Sequence, residues 1–412
     1  MKYYLIGYPL GYSHSPMIHK AFKNDIEYHS KVIEEKNLES FIKEKEYSGL
    51  NVTIPYKEKV IKYLDVVDDI AKNIQAVNTI VNKNGILFGY NTDIEGIRLS
   101  LFNNNVTLKD KIVMILGSGG SYKTISYLAK VSGAKKIIGV SRTKKIGFIT
   151  YQEALKIKDV NIIFNTTPIG TYPHIGASPI NIDEFDNLEC LFDMNYNPME
   201  TDFLFQGRNK NIKCINGLET LVYQAGLADE LFFNKKIAID RFSEVYDYIE
   251  KEVRSITLIG LPGSGKTMIG KLLAERLGYT FVDTDELIEK QENMKISEIF
   301  EKKGEKYFRA LEYQIGKQLA LEKKLIISTG GGMIENENLM RLFKYNSKIV
   351  FLDRLMAKHL FNGKRPLLKT MDDYLKIKER RMPLYLKHAD IVVDDIDSKI
   401  LLERIIKQLW NY

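Results

Sequence analysis

The chain has few of the features that mark secreted, zinc-binding or membrane proteins. It contains two cysteines, Cys190 and Cys214, which are too few for a disulfide framework and lack the spacing of zinc ligands. His14 and His19 lie five residues apart without an acidic cluster, so no metal site is expected there. The sequence has no apolar run long enough for a signal peptide or a membrane helix. We therefore expect a cytoplasmic protein with reduced cysteines and no membrane partner.

A strong charge of either sign is also lacking. The 60 Lys and Arg residues outnumber the 53 Asp and Glu residues only slightly, and they are interspersed with acidic residues along predicted helices. This pattern favours solvated surface over a nucleic-acid interface, and the small excess suits anionic small molecules. With 412 residues, 44% of them hydrophobic, the chain is long enough for two or three packed domains.

The clearest motif present is a phosphate-binding loop, Gly260-Leu-Pro-Gly-Ser-Gly-Lys266-Thr267. It lies between the apolar run 255–259 and an amphipathic stretch that ends at Leu277, which predicts a strand, a loop and a helix. Such a loop directs backbone N–H groups at phosphate oxygens, a lysine at the terminal phosphates and a hydroxyl at Mg²⁺. The residues predicted to bind ATP are Gly263, Ser264, Gly265, Lys266 and Thr267. This loop opens its own α/β domain, so the residues before it need a separate explanation.

A short strand near residue 50 carries polar side chains on one face. Apolar and polar residues alternate along 49–57, which predicts that Ile54 is buried and that Asn51 and Thr53 lie together on the opposite face. A wet edge strand ended by a proline would explain the same pattern. Asp93, at the start of a predicted helix, is either a helix cap or a functional carboxylate.

Two serines begin the first predicted helix. In Ser13-His-Ser15-Pro16, Ser15 is expected at the N-cap and Pro16 at the first helical position. Capping explains Ser15 but not Ser13. Hydroxyls beside a helix N-terminus are suited to holding a carboxylate, so we expect an anionic ligand near these serines.

A second glycine-rich loop follows the predicted strand 111–116. The sequence Gly117-Ser-Gly119-Gly120 leads from this strand into a predicted helix, as in dinucleotide-binding folds. The third glycine of that fingerprint is replaced by Tyr122. Helix and sheet are therefore expected to pack less closely here than in the standard fold.

The strand after this helix is followed by cations instead of an acidic residue. An acidic residue at this point would bind the ribose hydroxyls of NAD, whereas Ser141-Arg142-Thr143-Lys144 suits the 2′-phosphate of NADP. Only about ten residues then separate the strand from Tyr151. This length is too short for the usual crossover helix and a further strand, so we expect a reduced adenosine pocket.

This first part of the chain resembles the shikimate dehydrogenase family in the order and spacing of its motifs. The positions that match the family's substrate-binding and catalytic residues are Ser13, Ser15, Asn51, Thr53, Lys57, Asn78, Asp93 and Gln224. The resemblance implies that the serines hold the carboxylate of shikimate, that the amide and threonine side chains hold ring hydroxyls, and that Lys57 and Asp93 are catalytic. It also implies contacts with NADP(H) from Gly117, Gly119, Gly120, Ser141, Arg142, Thr143, Lys144 and Asn165.

Lys57 and Asp93 suit the reduction of a ketone. Hydride addition produces an alkoxide, which needs a proton from a positioned acid as it forms. A lysine ammonium supplies such a proton, and a neighbouring carboxylate orients the ammonium and binds a substrate hydroxyl. Burial lowers the pKa of a lysine and a carboxylate raises it, and the sequence leaves both directions open.

Downstream of the phosphate loop, a second set of motifs follows. The segment 279–285 is expected to be an apolar strand that ends with Asp283 and Asp285 on the same face, one serving Mg²⁺ and the other a substrate. After a predicted strand at 325–328, the glycines 330–332 leave bare backbone that a ligand can approach closely. A tight turn would explain the same three glycines.

The C-terminal part, residues 254–412, resembles shikimate kinase. The further motifs that carry this resemblance are Phe308-Arg309, Arg365-Pro-Leu-Leu368 and Arg381-Met-Pro-Leu-Tyr385. The resemblance implies that Thr267 and Asp283 support Mg²⁺ and that Asp285 accepts the proton of the substrate hydroxyl. It further implies a carboxylate clamp of Arg309 and Arg381, a ring site of Gly330, Gly331 and Gly332, and phosphate contacts from Lys266 and Arg365.

Two features of this part depart from the expected pattern. The segment 348–353 reads like a Walker B strand, but the resemblance places the metal-supporting carboxylate at Asp283, so we assign Asp353 a structural role. The lid at 360–365 is shorter than usual and lacks the arginine that commonly stacks on adenine. Looser nucleotide binding is therefore expected.

Together these features predict the α/β fold class with three domains. They are a substrate-binding α/β domain at 1–100, completed by helices at 217–250, a Rossmann-like NADP domain at 101–216, and a P-loop kinase domain with a parallel sheet at 254–412. The predicted function is reduction of 3-dehydroshikimate with NADPH and phosphorylation of shikimate with ATP and Mg²⁺. The alternatives are a quinate-using dehydrogenase fused to the kinase and a ligand-sensing protein built from inactive enzyme domains.

Overall fold

Helices packed on mostly parallel sheets make up the chain. The structure is a computed structural model that describes residues 1–11, 13–354, 370–395 and 397–410. The described residues form three β-sheets, of six, six and five strands. They divide into two compact units, 1–249 with the first two sheets and 250–412 with the third.

The first sheet mixes parallel and antiparallel strands. Its strands are β1 (Lys2–Gly7), β2 (Glu27–Val32), β3 (Gly49–Val52), β4 (Val66–Val67), β5 (Thr79–Lys83) and β6 (Ile86–Tyr90), in the order β2-β1-β3-β5-β6-β4. The helices of this part are α1 (Ser15–Phe22), α2 (Glu35–Glu44), α3 (Asp69–Ile74) and α4 (Asp93–Asn103). Because β1 and β3 are parallel neighbours, the segments that follow them meet at one edge of the sheet.

Two local predictions in this part were wrong. β3 ends at Val52, so Ile54 lies beyond the strand and is 62% exposed rather than buried. Helix α1 begins at Ser15 itself, with His14 at the N-cap and no side-chain cap. The Ser15 hydroxyl instead accepts a hydrogen bond of 3.1 Å from the hydroxyl of Ser13.

The second sheet is parallel throughout. Its strands are β7 (Ile112–Leu116), β8 (Lys136–Val140), β9 (Phe148–Ile149), β10 (Ile162–Asn165), β11 (Cys190–Asp193) and β12 (Lys213–Ile215), in the order β12-β11-β10-β7-β8-β9. The helices are α5 (Gly120–Val131), α6 (Tyr151–Ala154) and α7 (Asp202–Asn209). The strand, glycine loop and helix predicted near residue 117 are therefore confirmed.

The connection from β8 to β9 is short. Residues 141–147, all of which the structure describes, contain no helix, as their number predicts. Tyr122 packs on Phe148 with ring centroids 4.6 Å apart. A Cβ on Gly139 would come within 2.9 Å of the Tyr122 ring. The standard fingerprint has glycine at the position of Tyr122. Here the absence of a side chain at Gly139 leaves room for the Tyr122 ring.

Two helices follow the second sheet. Helix α8 (Leu218–Phe233) lies so close to α4 that a Cβ on Gly96 would be 3.1 Å from the backbone nitrogen of Gln224. This approach brings Gln224 next to the first turn of α4. Helix α9 (Ile239–Val253) buries Phe242 against Phe22, with ring centroids 5.4 Å apart.

The third sheet is also parallel. Its strands are β13 (Ser255–Ile259), β14 (Thr280–Asp283), β15 (Leu325–Ser328), β16 (Ser347–Leu352) and β17 (Ile391–Val393), in the order β14-β15-β13-β16-β17. The helices are α10 (Lys266–Leu277), α11 (Thr284–Glu292), α12 (Ile296–Leu319), α13 (Glu337–Lys344), α14 (Met371–His388) and α15 (Ser398–Trp410). The prediction that Asp283 and Asp285 end one strand was wrong, because α11 begins at Thr284 and places Asp285 in its first turn.

Both cysteines are free thiols of the second sheet. Burial raises the pKa of Cys190 and of Cys214 to about 12. Thiols with such pKa values are poor nucleophiles at neutral pH, which agrees with a structural role. Among the helices in the described part of the chain, none has the length and apolar character needed to cross a membrane.

Candidate active sites

The candidate substrate pocket of the first unit is built around an ion pair. Lys57 Nζ lies 2.6 Å from Asp93 Oδ2, and only 13% and 11% of the two side chains are exposed. Asp93 Oδ1 accepts a hydrogen bond of 2.9 Å from Asn78 Nδ2. The same amide nitrogen lies 3.3 Å from Gln224 Oε1. Four predicted residues from separate segments of the chain therefore form one connected network.

Asn51 is buried in β3, and its neighbours orient its amide. Tyr28 donates a hydrogen bond of 2.8 Å to Asn51 Oδ1, and Asn51 Nδ2 lies 3.3 Å from Thr79 Oγ1. Burial raises the pKa of Tyr28 well above its usual range, so the phenol stays protonated and donates. Tyr28 was not predicted, because it lies on β2, which is not a neighbour of β3 in the sheet.

Thr53 directly follows β3, while Ser13 and Ser15 lie between β1 and the first turn of α1. The backbone N–H of Thr53 donates to the carbonyl of Ile6 at 2.9 Å. A Cβ on Gly7 would lie 2.6 Å from Thr53 Cγ2, so only glycine allows this approach. The two serine hydroxyls contact each other in the segment that follows Gly7. Thr53 is thus held against the end of β1, and the two serines form a pair of their own in the segment that leads into α1.

The glycine loop after β7 lies directly beside Lys57. A Cβ on Gly120 would be 3.2 Å from Lys57 Cβ. Gly117 has a φ of +114°, which other residues rarely adopt, and the hydroxyl of Thr166 occupies the space of its missing side chain. Gly119 is the N-cap of α5, whose N-terminal N–H groups are suited to a pyrophosphate. A dinucleotide bound at this loop would lie next to the Lys57–Asp93 pair.

The cationic segment after β8 is exposed apart from its first residue. Ser141 is buried, and its hydroxyl accepts a hydrogen bond of 3.4 Å from the N–H of Thr143. Arg142 and Lys144 extend from the exposed part. Lys145, the next cation of the same segment, donates to the Ser118 hydroxyl at 2.7 Å and so connects this segment with the glycine loop. Such a group of cations and hydroxyls suits phosphate oxygens.

Asn165 is engaged inside the protein. Its side chain is fully buried at the end of β10. Nδ2 donates to Asp193 Oδ1 at 3.0 Å, and Oδ1 accepts from Thr167 Oγ1 at 2.7 Å. Burial raises the pKa of Asp193 to about 7. The Asn165 amide would therefore affect a bound cofactor indirectly, by holding the loop that begins at Thr167.

In the second unit, three glycines shape the phosphate loop. Gly260, Gly263 and Gly265 have φ values of +155°, +85° and +84°, and Gly265 is the N-cap of α10. Ser264 is fully buried between them. Lys266 Nζ donates to the carbonyl of Gly260 at 2.8 Å, which holds the ammonium against the loop. The predicted strand, loop and helix are all confirmed here.

Thr267 and Asp283 form a pair that fits a magnesium ion. Thr267 Oγ1 donates to Asp283 Oδ2 at 2.8 Å, and Asp283 Oδ1 accepts from the N–H of Asp285 at 3.0 Å. Mg²⁺ is usually bound by one or two carboxylates together with substrate phosphates and water, and the carboxylate and hydroxyl of this pair are groups of that kind beside the phosphate loop. Within the described ranges, no cluster of three or more His, Cys, Asp or Glu side chains could hold a metal by itself.

The glycines 330–332 bring the predicted acceptor groups together. A Cβ on the first glycine would lie 2.5 Å from Asp285 Oδ1. A Cβ on the second would lie 3.3 Å from Arg381 Nη1, and a Cβ on the third would overlap the guanidinium of Arg309. Three charged side chains from α11, α12 and α14 therefore converge on one stretch of bare backbone.

Both arginines are held by glutamates. Arg309 Nη1 donates to Glu312 Oε2 at 2.6 Å, and Arg381 Nε donates to Glu335 Oε1 at 2.6 Å. Burial raises the pKa of Glu312. Neither glutamate was predicted, because each is one of many acidic residues in helical or turn segments. Arg365, predicted to contact the phosphates, lies outside the described residues.

Asp285 has the environment of a proton acceptor near neutral pH. Burial raises its pKa to about 7, and the carboxylates of Asp283 and Glu312 act in the same direction. Asp285 Oδ1 is buried and has no hydrogen-bond partner among the residues that the structure describes. The ammonium of Lys266 opposes this shift of the pKa. Near pH 7 this carboxyl is therefore present in both its charged and its neutral form.

The first unit is similar to known dehydrogenases over its whole length. The shikimate dehydrogenase (NADP(+)) of Clostridium beijerinckii is 39% identical over 271 residues, which cover 62% of this chain and 100% of that protein. The chain belongs to the shikimate dehydrogenase family. Residues 5–80 match the family model described as the shikimate dehydrogenase substrate binding domain.

Solved structures of shikimate dehydrogenases share the fold of this part. Shikimate dehydrogenase 1 of Peptoclostridium difficile is 35% identical with a TM-score of 0.57, covering 60% of this chain and 98% of that one. The chorismate mutase/shikimate 5-dehydrogenase fusion protein of Clostridium acetobutylicum is 33% identical with a TM-score of 0.57, covering 60% and 96%.

The second unit matches a different family. Residues 262–410 match the family model described as shikimate kinase. The predicted α/β fold class is confirmed by the sheets and by the dehydrogenase structures. The predicted fusion of a shikimate dehydrogenase with a shikimate kinase is confirmed as well.

Proposed function

We propose that the first unit reduces 3-dehydroshikimate to shikimate with NADPH, and that the second phosphorylates the 3-hydroxyl of shikimate with ATP and Mg²⁺. The observation that carries this proposal is that the predicted groups of each reaction meet in space, at the Lys57–Asp93 pair and around the glycines 330–332. The product of the first reaction is the substrate of the second. Both reactions lead towards chorismate and the aromatic amino acids.

In this proposal each domain has its own role. Residues 1–100 with 217–250 bind the shikimate-type substrate, residues 101–216 bind NADP(H), and residues 254–412 form the kinase. The substrates are small anionic molecules, in line with the slight excess of Lys and Arg. A cytoplasmic location belongs to the proposal, because NADPH and ATP are both supplied there.

In the proposed reduction, Ser13 and Ser15 hold the substrate carboxylate. The ring hydroxyls are bound by Asn51, Thr53, Asn78 and Gln224. NADPH supplies the hydride when it is bound at the glycine loop. The ammonium of Lys57 gives a proton to the ketone oxygen as negative charge develops there, and Asp93 fixes the ammonium and accepts a hydrogen bond from a hydroxyl.

The cofactor of the reduction is proposed to be NADP(H), bound by Gly117, Gly119 and Gly120 and by the segment 141–144. Arg142 and Lys144 supply positive charge for the 2′-phosphate, and no acidic residue in the segment favours NAD. The rates of shikimate and quinate oxidation, each measured with NADP and with NAD, test this assignment. Faster oxidation of shikimate with NADP supports it, and comparable oxidation of quinate favours a quinate-using enzyme.

The proposed phosphoryl transfer depends on alignment and on neutralisation of charge rather than on covalent chemistry by the protein. ATP supplies the phosphoryl group when its phosphates are held by the loop 263–267. Thr267 and Asp283 support Mg²⁺. Arg309 and Arg381 hold the shikimate carboxylate, Asp285 accepts the proton of the 3-hydroxyl, and Arg365 is assigned to the phosphates by the resemblance.

The reaction sequence is tested by one coupled assay. The full chain is supplied with 3-dehydroshikimate, NADPH, ATP and Mg²⁺, and we expect loss of NADPH absorbance together with shikimate 3-phosphate in the mass spectrum. Without ATP, shikimate should accumulate, and without NADPH neither product should form. Binding of shikimate without any turnover would contradict the proposal and favour a ligand-sensing protein.

The raised pKa of Asp285 predicts a pH-dependent effect on stability. Because the folded protein binds this proton more tightly than the unfolded chain does, the stabilising contribution is full below the unfolded pKa of about 4 and is lost as the pH rises through about 7. Asp285→Asn removes the buried charge. We expect this variant to raise the Tm of the kinase unit by about 3–6 °C at pH 8, and by progressively less towards pH 4.

The matched control for this measurement is Glu286→Gln, which changes an exposed carboxylate in the same turn of α11. Scanning calorimetry of both variants from pH 4 to pH 8 provides the comparison. A Tm difference for Asp285→Asn that stays constant over this range would show that the Asp285 pKa is not raised.

A further inference from the structure

Tyr385 connects the phosphate loop with the glycine triplet of the kinase unit. It lies on α14 and is 1% exposed. Its hydroxyl is 3.0 Å from the carbonyl of Gly260, the first residue of the phosphate loop. The same hydroxyl is 3.2 Å from the carbonyl of Gly331, the middle residue of the triplet. One side chain thus contacts the backbone of both loops that the proposed transfer uses.

The hydroxyl acts as a donor to both loops. Burial raises the pKa of Tyr385, so the phenol keeps its proton. Backbone carbonyls only accept, so the proton is shared between Gly260 and Gly331. The carbonyl of Gly260 also accepts from Lys266 Nζ. If Lys266 turns towards the phosphates of a bound nucleotide, Tyr385 still donates to this carbonyl.

The ring of Tyr385 is fixed on the sheet. It stacks on Phe351 with ring centroids 4.9 Å apart and an interplanar angle of 12°. Phe351 lies on β16 and is paired in register with Ile259, the residue directly before Gly260. The phenol therefore has a rigid support next to the strand that leads into the phosphate loop.

Helix α14 presents a second group to the same glycine. Arg381 lies one turn before Tyr385, and its Nη1 is 3.3 Å from the position of a Cβ on Gly331. The helix that holds the proposed carboxylate clamp therefore also fixes the backbone of the ring site. A displacement of Gly331 relative to Gly260 would change the distance between the acceptor hydroxyl and the phosphates.

We propose that Tyr385 is a positioning residue for phosphoryl transfer, because its hydroxyl sets the separation between the phosphate loop and the glycine triplet. The inference rests on the proposed kinase function and adds a residue to which that function assigns no contact with either substrate. Transfer between two bound molecules is sensitive to misplacement by about 1 Å, whereas binding of each molecule to its own loop is not.

The test compares Tyr385→Phe with the wild-type full chain. We expect kcat for shikimate phosphorylation to fall about tenfold while KM for ATP and KM for shikimate change by less than about threefold. Tyr374→Phe is the matched control, since Tyr374 is a buried tyrosine on the same helix and in the same core cluster. The control should keep the wild-type kcat.

A second readout separates positioning from general loosening. Slow ATP hydrolysis without shikimate uses water, which the triplet does not hold, so Tyr385→Phe should leave this rate within about twofold while transfer falls. An unchanged kcat for transfer overturns the inference. A parallel loss of hydrolysis, or an equal loss of kcat in Tyr374→Phe, overturns it as well.

Two outcomes remain distinct from these. If the wild-type chain fails to phosphorylate shikimate, the proposed kinase function itself is wrong. If Tyr385→Phe does not fold, Phe351→Leu decides the question, because it keeps the hydroxyl but removes the aromatic surface that holds the ring. A lower kcat with nearly unchanged KM values in Phe351→Leu supports the inference, and a wild-type kcat overturns it.

Discussion

Replacing Lys57 with methionine is expected to lower kcat for the reduction of 3-dehydroshikimate roughly 10²–10⁴-fold, the usual contribution of a positioned proton donor. Methionine keeps most of the side-chain stem, which packs against Gly120, but it cannot protonate the forming alkoxide. The rate is measured as loss of NADPH absorbance. Phosphorylation of added shikimate by the same variant should stay within about twofold of wild type, since its proposed residues lie in the other unit.

The matched control is Lys59→Met, which removes a lysine two residues away. Lys59 pairs with Glu35 on the surface, and 42% of its side chain is exposed. This variant should keep both activities. Normal NADPH oxidation by Lys57→Met would contradict the assignment of Lys57 as the proton donor.

The reciprocal result is expected for Asp285→Asn. An amide of the same shape cannot accept the proton of the 3-hydroxyl, so kcat for phosphorylation should fall roughly 10²–10⁴-fold. NADPH-dependent reduction should be unchanged. Phosphorylation is followed by mass spectrometry of shikimate 3-phosphate, with Glu286→Gln as the control from the same helical turn.

The two substitutions together test whether the sites are independent. A folded Lys57→Met protein that lost phosphorylation, or a folded Asp285→Asn protein that lost reduction, would show that the two reactions depend on each other. Circular dichroism and the Tm establish folding in each case. Asp285→Asn has a further signature, because the same change that removes activity is expected to raise the Tm near neutral pH.

Local patterns were sufficient for the elements that carry the phosphate loop. The apolar run of β13, the glycines after it and the amphipathic period of α10 all lie within about 25 consecutive residues, and the bounds of β13 and the end of α10 at Leu277 were confirmed. The alternation of apolar and polar residues was a less reliable guide to burial near Ile54. It continues beyond Val52 in the sequence, but the strand ends there, and a side chain outside the ladder is free to face solvent.

Capping and helix starts were harder to predict, because several polar residues near a helix N-terminus satisfy the same rule. Ser15 lies inside α1 rather than at its cap, and Asp285 lies in α11 rather than at the end of β14. Ser15 was predicted one position outside the helix that it begins, and Asp285 was assigned to the strand although it lies two residues beyond it, so each boundary was wrong by one or two positions.

The groups that hold the site residues could not be predicted. Tyr28 reaches Asn51 across an intervening strand, and Glu335 reaches Arg381 over 46 positions of sequence. Neither contact has a local signal, since it depends on how distant elements pack. The resemblance to the two families identified groups assigned to contact substrates, while their supports became visible only in the fold.

The glycine triplet has a consequence for inhibitors of the kinase unit. A side chain introduced at the third glycine would meet the end of the long Arg309 side chain, which can move, so the protein should still fold; one at the first glycine would meet the carboxylates of Asp285 and Glu312. The displaced groups are nevertheless those proposed to bind and activate the acceptor. Resistance to a compound that binds the backbone of residues 330–332 should therefore be rare, because the substitutions that block the compound would also impair the enzyme.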